Sequence, residues 1–388
     1  MRIAIDARPA SHPQPGGFKR YTEQLLRALA QTDAPHSYLV YFDRAPTRDF
    51  FDRNPQFQSI ITPTRAPAVG VIWREQCAVP QSAKRAAATV IHFTANTSAR
   101  WLPCPAVVTM HDIIFWDERP SWQGLGAAEK FKRYGMYLYN RWAARAALQH
   151  ARHLITISRY SKQKIETRFG IPPERVSAIY IGLADTFRPL PEAEKIAARA
   201  KFNLHKPFLL GLVSTSPRKN ARGLVEAYAA LDASLRAAYE LVLVWTHGLW
   251  QTQLAQYIQA RGLQAQVRSL ENVTDADLAA LLNLATVFVF PSLDEGFGLP
   301  PLEALACGAA VVASNRASLP EVLGDAALLS EVNDPRELAR NLAALLTNPA
   351  RLADYRARGP AWAARYSWAN CARETIQIYQ RCAPTTAS

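Results

Sequence analysis

Short, unbroken apolar runs alternate with longer amphipathic stretches along this chain, and that alternation restricts the fold more than any other feature. In the first half, "RIAIDA", "YLVYF", "ATVIHF", "AVVTMHD" and "HLITIS" read as buried strands, because they lack the polar alternation of a half-solvated strand. "FKRYTEQLLRALAQ" and "SRYSKQKIETRFG" read as helices, the second opened by a Ser cap and closed by Gly170. "RPASHPQPGG" between the first strand and first helix reads as a loop, and "IPPERVSAIYIGLADTFRPLP" carries a last strand into a Pro-marked linker. The alternation then resumes with "PFLLGLVS", "YELVLVW", "VRSL", "TVFVFPS" and "AAVVAS". Between these runs lie "NARGLVEAYAAL", "QTQLAQYIQARGL", "DADLAALLNLA" and "PLEALACG". Helices of this length between apolar strands indicate βαβ units and a parallel sheet. The pattern runs twice, which predicts two doubly wound α/β domains meeting near residue 185, as does a length of 388 residues, too long for one ordinary core. A closing helix, roughly 369–383, follows both cores and can pack on either.

Charge becomes informative once it is located. Of the net +13, residues 1–185 hold 25 Lys/Arg against 14 Asp/Glu, or +11, and the remainder holds 20 against 18, or +2. A one-sided basic domain suggests an anionic partner: nucleic acid, anionic lipid or a phosphorylated substrate. No nucleic-acid recognition motif accompanies the charge, so nucleic acid is not expected as a partner. "EKFKRYGMYLYNRWAARAALQHAR", 129–152, mixes basic and aromatic residues and suits either an anionic membrane surface or a core helix with solvated cations. No apolar run approaches the ~20 residues of a membrane span. "MRIAIDARP" places Asp6 where a signal peptide needs its apolar core. The five cysteines, Cys77, Cys104, Cys307, Cys371 and Cys382, are scattered without C-x-x-C. They form neither a metal nor a disulfide framework and fit a reducing cytoplasm.

Four loop segments carry candidate chemistry. In "SLDEGFGLPPLEALACG" the double proline predicts a helix that starts there and stops at Gly308, with Glu295 in the preceding loop and Glu303 in the first turn. The two carboxylates then meet different parts of one ligand rather than flank one bond as glycosidase carboxylates do. A first-turn Glu also complements the helix dipole without any ligand, but that leaves Gly296 and Gly298 around Phe297 unexplained. "STSPRKN", 214–220, sits between a strand end and a helix start, where Arg218 and Lys219 can neutralise a diphosphate or form an ordinary solvated pair before an Asn cap, Asn220. "VTMHD" ends a strand with His111, structural or catalytic, and "PGGF" offers Gly17 for close ligand approach or for a plain turn. The D-x-D of "TDAD", Asp275 and Asp277, reads as a helix cap and not a metal site.

Taken together these segments resemble the group 1, family-four retaining glycosyltransferases. The match rests on "PSLDEGFGLPPLEALACGAAVVAS", with the family's E-x-x-x-x-x-x-x-E pair as Glu295 and Glu303. "PGG", "VTMHDIIF", "ITISRYSK", "SPRKN" and "SNRASLPEVLGDAALL" stand in the family's order, so the likeness covers nearly the whole chain. It implies the GT-B fold, two Rossmann-like doubly wound parallel-sheet α/β domains facing a cleft. Residues 1–185 would bind the acceptor, 186–368 the nucleotide-sugar donor, and the helix in 369–388 would cross back to the first domain. The resemblance makes His111, Lys219 and Glu295 catalytic. Lys219, with Arg218 and Ser214, would meet the donor diphosphate, and Gly17 would lie near the phosphate. Glu295 and the backbone N–H groups of Phe297, Gly298 and Leu299 would hold the transferred sugar and adjoining phosphate. Glu303 would bind the ribose, and Leu270 to Val273 the base. Many members carry Gly-Thr or Gly-Arg where this chain has Val213-Ser214, which shifts neutralisation onto Lys219. "VLVWTHGLW" replaces a usual Gly-rich turn and puts nearby base contacts in question.

The expected activity is metal-free transfer of a hexose, as in a mannosyltransferase, from a nucleoside-diphosphate sugar to a glycan or polyprenyl-linked glycan. No cofactor beyond that co-substrate is expected. The setting would be polysaccharide biosynthesis in the cytoplasm, at the inner face of an anionic membrane. Rival readings are a catalytically inactive GT-B partner and a basic nucleic-acid-binding protein. A dehydrogenase would need G-x-G-x-x-G after its first strand, which "PQPGGF" does not supply.

Overall fold

The computed structural model describes residues 1–13, 16–46, 48–51, 53–64, 69–117, 126–245 and 248–384. The chain packs as two units, Met1–Gly182 with Ser367–Ser388, and Leu183–Tyr366. The first holds a seven-stranded sheet in the order β3-β2-β1-β4-β5-β6-β7. Its strands are β1 (Arg2–Asp6), β2 (Ser37–Phe42), β3 (Phe57–Ile61), β4 (Val90–Phe93), β5 (Ala106–Thr109), β6 (His153–Thr156) and β7 (Val176–Ala178). Every pairing is parallel. The second holds six, in the order β10-β9-β8-β11-β12-β13. These are β8 (Phe208–Leu212), β9 (Glu240–Val244), β10 (Val267–Leu270), β11 (Val287–Phe290), β12 (Ala310–Ser314) and β13 (Leu328–Ser330), again all parallel.

The apolar runs behave as sheets covered on both faces require. Val90, Ile91, Phe93, Val107, Val108, Leu154 and Ile155 are buried in the first unit, and Leu209, Leu210, Val287, Phe288 and Val311 in the second. In each sheet the chain first builds outward in one direction and then returns to the other side of its first strand. The reversal falls between β1 and β4 in one unit and between β8 and β11 in the other. Such a switch point opens a crevice beyond the carboxyl ends of the two strands.

Local signals act as the chain dictates. Ser158 caps the helix Arg159–Phe169 by accepting from the Ser161 N–H at 3.0 Å. Gly170 ends that helix at φ 63°, a left-handed conformation that suits glycine. Thr274 and Asp277 form a reciprocal capping box on Asp275–Leu284, and Asp277 also accepts from Lys201 Nζ at 2.5 Å. The last helix, Trp368–Cys382, packs in the first unit against the helix Gly17–Ala30 and β5.

Two expectations need correction. The stretch after β1, expected as loop throughout, contains the one-turn helix Arg8–Ser11 with Pro9 in its first turn. The helix of the paired carboxylates runs Leu299–Ala306 from the cap Gly298, so Glu303 lies past its first turn and cannot serve there as a dipole complement. Pro15 of the "PGG" segment and Thr246–His247 of "VLVWTHGLW" lie outside the described residues.

Candidate functional site

In the second unit the loops after β8 and β11 are stitched together across the switch point. The Arg218 carbonyl accepts from the Leu293 N–H at 2.8 Å and from Ser292 Oγ at 3.2 Å. That seam brings Glu295 against the basic pair. Glu295 Oε1 receives Lys219 Nζ at 2.7 Å, Arg218 Nη1 at 2.9 Å and Ser292 Oγ at 2.7 Å. Arg218 therefore turns inward, and its Nη1 also donates to the Asp294 carbonyl at 2.6 Å. The Lys219 ammonium lies 4.8 Å from the centre of the Phe290 ring. Behind the carboxylate, Ser318 Oγ donates to the Glu295 carbonyl at 2.9 Å and fixes the loop.

Asn220 explains how two adjacent cations reach one carboxylate. It stands at φ 50°, accepts from the Gly223 N–H at 3.2 Å and starts the helix Ala221–Ala229. The chain thus turns sharply after Lys219, which an Asn in the left-handed region permits. Gly298 does the same for the acidic loop. It sits at φ 99°, and a Cβ there would come within 2.5 Å of Leu319 Cδ2. Because Pro300 and Pro301 carry no N–H, the donors at this helix start come from Phe297, Gly298 and Leu299. The Phe297 side chain is buried against Tyr366, with ring centres 5.7 Å apart, which turns it away from any ligand.

The other residues singled out in this unit are more dispersed. Glu303, on the helix that starts there, is buried, 2% exposed. Ser214 Oγ accepts from the Ser216 N–H at 3.3 Å and shapes the turn before Arg218. Leu270 ends β10 and its carbonyl accepts from the Trp245 N–H at 3.0 Å, with Val273 half-buried just beyond. Glu271 accepts from the Gly248 N–H at 2.8 Å, which ties Gly248 to the loop after β10.

In the first unit, the crevice at the β1/β4 switch point is a cavity of about 420 Å³. Arg8, Gly17, Asn96, Phe115, Tyr137 and Asn140 are among its walls. Gly17 opens the helix Gly17–Ala30, and the Phe18 ring beside it packs at a tilt of 54° against His111 with ring centres 4.7 Å apart. His111 is buried just after β5. Its N–H donates to Asn96 Oδ1 at 2.8 Å, and its Nε2 lies 3.0 Å from the Thr94 carbonyl. A carbonyl only accepts, so Nε2 carries the proton and Nδ1 the lone pair. Burial pushes the imidazole down to about 4, which keeps it neutral near pH 7.

A buried polar chain lies behind this ring. Tyr21 OH bonds Thr109 Oγ1 at 3.0 Å, Thr109 Oγ1 bonds His92 Nε2 at 2.8 Å, and His92 Nδ1 bonds Tyr379 OH at 2.7 Å. Tyr21 also packs edge-on against His111 at 4.6 Å. Burial, with His111 nearby, holds His92 down to about 3. Asn96, Ser292, Ser318 and this chain escape sequence reasoning, because each acts through a partner at least 15 residues away. A metal finds no obvious seat: among the described residues no group of three or more His, Cys, Asp or Glu is arranged to hold one.

Comparison with known proteins adds the family context. The model of Glycosyl transferases group 1 matches residues 192–362 and that of Glycosyltransferase Family 4 residues 15–186. O-antigen chain mannosyltransferase B of Escherichia coli is 33% identical over 276 residues, 71% of this chain and 70% of that protein. Serotype-specific mannosyltransferase WbdA of Escherichia coli is 33% identical over 74% of this chain, which spans only 35% of that longer protein. The crystal structure of Anabaena Alr3699/HepE with UDP and glucose has a TM-score of 0.69 at 18% identity, covering 98% of this chain and 99% of that one. That likeness is one of fold, and the fold is GT-B.

Proposed function

The chain belongs to the group 1, family-four glycosyltransferases, and on that premise we propose that it moves a hexose from a nucleoside-diphosphate sugar to a glycan or polyprenyl-linked glycan with the anomeric configuration retained. The observation that carries this reading is the convergence of Lys219 and Arg218 on Glu295, at 2.7 and 2.9 Å, at the switch point of the second sheet. Two cations held beside a helix start suit a diphosphate, and a carboxylate between them suits sugar hydroxyls. Glu303 is assigned to the ribose and the segment Leu270–Val273 to the base. Mannose is favoured as the sugar by the names of the two Escherichia coli relatives.

The proposed reaction is a displacement on one face of the sugar. The bond between the anomeric carbon and the β-phosphate oxygen breaks, its electron pair leaving with the diphosphate. The acceptor oxygen bonds the same carbon from the same side, and its proton passes to the departing phosphate. Lys219 and Arg218 stabilise the charge growing on that phosphate. His111, neutral with Nε2–H committed to Thr94, offers Nδ1 as a hydrogen-bond acceptor for a sugar hydroxyl rather than serving as an acid. No divalent cation is needed in this scheme, and the D-x-D of Asp275 and Asp277 is already engaged as a helix cap. The acceptor is taken from the cytoplasmic face of an anionic membrane.

The test is turnover with a panel of UDP-, GDP- and ADP-sugars in EDTA, followed by NMR of the product's anomeric configuration. Retained configuration without metal supports the reading. Loss of turnover restored by manganese or magnesium removes its metal-free part, and inversion removes its mechanism. Nucleotide binding without turnover of any sugar would favour an inactive partner protein instead.

A further inference from the structure

The helix Ala127–His150 buries Tyr139, Ala143, Ala144, Ala146, Ala147 and Leu148 on one side. On the other stand Phe131, Tyr134, Leu138 and Trp142, which are 81, 51, 48 and 46% exposed. Steps of three, four and four residues put these four on one line along the helix. The first buried residue is Tyr139, so the opening three turns carry their side chains outside the core. Single exposed apolar residues are ordinary, but a continuous stripe of four large ones on one helix marks a contact surface. The same helix carries Lys130, Lys132, Arg133, Arg141 and Arg145 against Glu129 alone. At 100° per residue, Lys130 borders the stripe on one flank and Lys132 on the other, and Arg145 continues its line beyond Trp142; Arg141 is turned back onto Tyr137 OH at 2.7 Å. Arg133 points elsewhere and pairs with Glu129 at 3.1 Å.

We propose that this stripe is a docking surface for an anionic lipid bilayer, lying in its headgroup layer. The proposal rests on the membrane-face part of the reading above and names the element responsible. Aromatic side chains flanked by cations match the boundary between acyl chains and anionic headgroups. A second copy of the chain is the poorer occupant, because pairing the stripe with itself would bring the same cationic flanks together. Tyr137 and Asn140 of this helix also line the cavity at the β1/β4 switch point. Docking therefore holds that cavity about one helix diameter, ~10–12 Å, from the lipid surface.

Co-sedimentation with phosphatidylcholine vesicles, with and without phosphatidylglycerol, tests the assignment. The full chain is compared with a Phe131→Ser, Leu138→Ser, Trp142→Ser variant and a Lys130→Gln, Lys132→Gln, Arg145→Gln variant. The wild type should bind the anionic vesicles and release them as salt rises. The charge variant should lose about fivefold in affinity per cation, and the apolar variant at least tenfold. Melting curves and turnover on a soluble acceptor should match the wild type in both variants. If the wild type ignores both vesicles, the membrane-face reading and this inference fall together. If the wild type binds and the apolar variant binds as tightly, the stripe is not the docking surface, although the membrane reading stands. Self-association of the wild type that the apolar variant abolishes, without vesicle binding, would assign the stripe to a second copy and overturn the proposal.

Discussion

Replacing Glu295 by Gln keeps the side chain's shape and removes its charge. As folded, that carboxylate is the counter-ion of both Lys219 and Arg218, through contacts of 2.7 and 2.9 Å to a single oxygen. A nucleoside diphosphate reaching the same cations must share them with a carboxylate of its own sign. Two like charges about 5 Å apart repel by ~3 kcal/mol at an effective dielectric of about 20. The three side chains are partly exposed, and salt screens the remainder, so about 1–2 kcal/mol is the reasonable working value. Glu295→Gln should therefore bind UDP or GDP roughly five- to thirtyfold more tightly than the wild type. The gain should shrink as salt rises. The nucleotide sugar should gain little or nothing, since the same relief on its diphosphate is offset by exchanging a hydrogen bond to a charged acceptor, about 1.5–3 kcal/mol, for one to a neutral amide. The ratio of diphosphate to sugar-nucleotide affinity should rise by about tenfold or more. Calorimetric titration of both ligands at two salt concentrations gives all four constants. A folded Glu295→Gln that binds the diphosphate no more tightly than wild type at low salt would refute the assignment of these cations to the phosphates.

Lys219→Ala should lower kcat by roughly a hundred- to thousandfold with a smaller change in KM, because its charge is assigned to the leaving phosphate; equal loss in both would make it a binding residue only. Gly298→Ala should destabilise the chain by about 1–3 kcal/mol in urea unfolding, since φ is 99° and the new Cβ meets Leu319; an unchanged midpoint would mean the loop relaxes freely. The histidines give a pH signature. His92 and His111 are held down to about 3 and about 4, whereas the unfolded chain protonates them near pH 6.5. The unfolded state thus gains protons first as pH falls, and each histidine withholds about 1 kcal/mol of stability between pH 7.5 and 5.5. Urea unfolding with no slope across that range would show them solvated, and a slope of the opposite sign would show them charged. Tyr379→Phe removes the hydroxyl on His92 Nδ1 and should cost about 1–3 kcal/mol, read as a lower melting midpoint.

Much of the architecture is legible because parallel strands covered on both faces have to be apolar throughout. Val287–Phe290 and Ala310–Ser314 announce themselves in that way. β3 does not, because Phe57–Ile61 is a half-exposed edge strand with mixed residues, and β13 is only three residues long. The one-turn helix Arg8–Ser11 is hidden among turn-forming residues. At the site, the types and order of Lys219, Glu295 and Glu303 can be read from their segments. The inward turn of Arg218 cannot, since it depends on a seam with Ser292 and Leu293 more than seventy residues away. The stretch 129–152 admits two readings from its residues, and the helix divides between them: Tyr139 is core, while Phe131 and Trp142 face outward. The link from His92 to Tyr379 spans 287 residues and has no local signal at all.

That link sets an order for how the chain matures during synthesis. The second unit is continuous, Leu183–Tyr366, and holds all its strands before the last helix emerges. The first unit is discontinuous, and its buried histidine meets Tyr379 only when the helix Trp368–Cys382 has left the ribosome. At about 5–20 residues per second, some two hundred residues of delay amount to roughly 10–40 s. Through that interval the first seven-stranded sheet waits with the face of Gly17–Ala30 that Trp368–Cys382 covers still open. The later half of the protein thus holds its whole unit in one stretch of chain, whereas the earlier half is complete only when the final helix arrives.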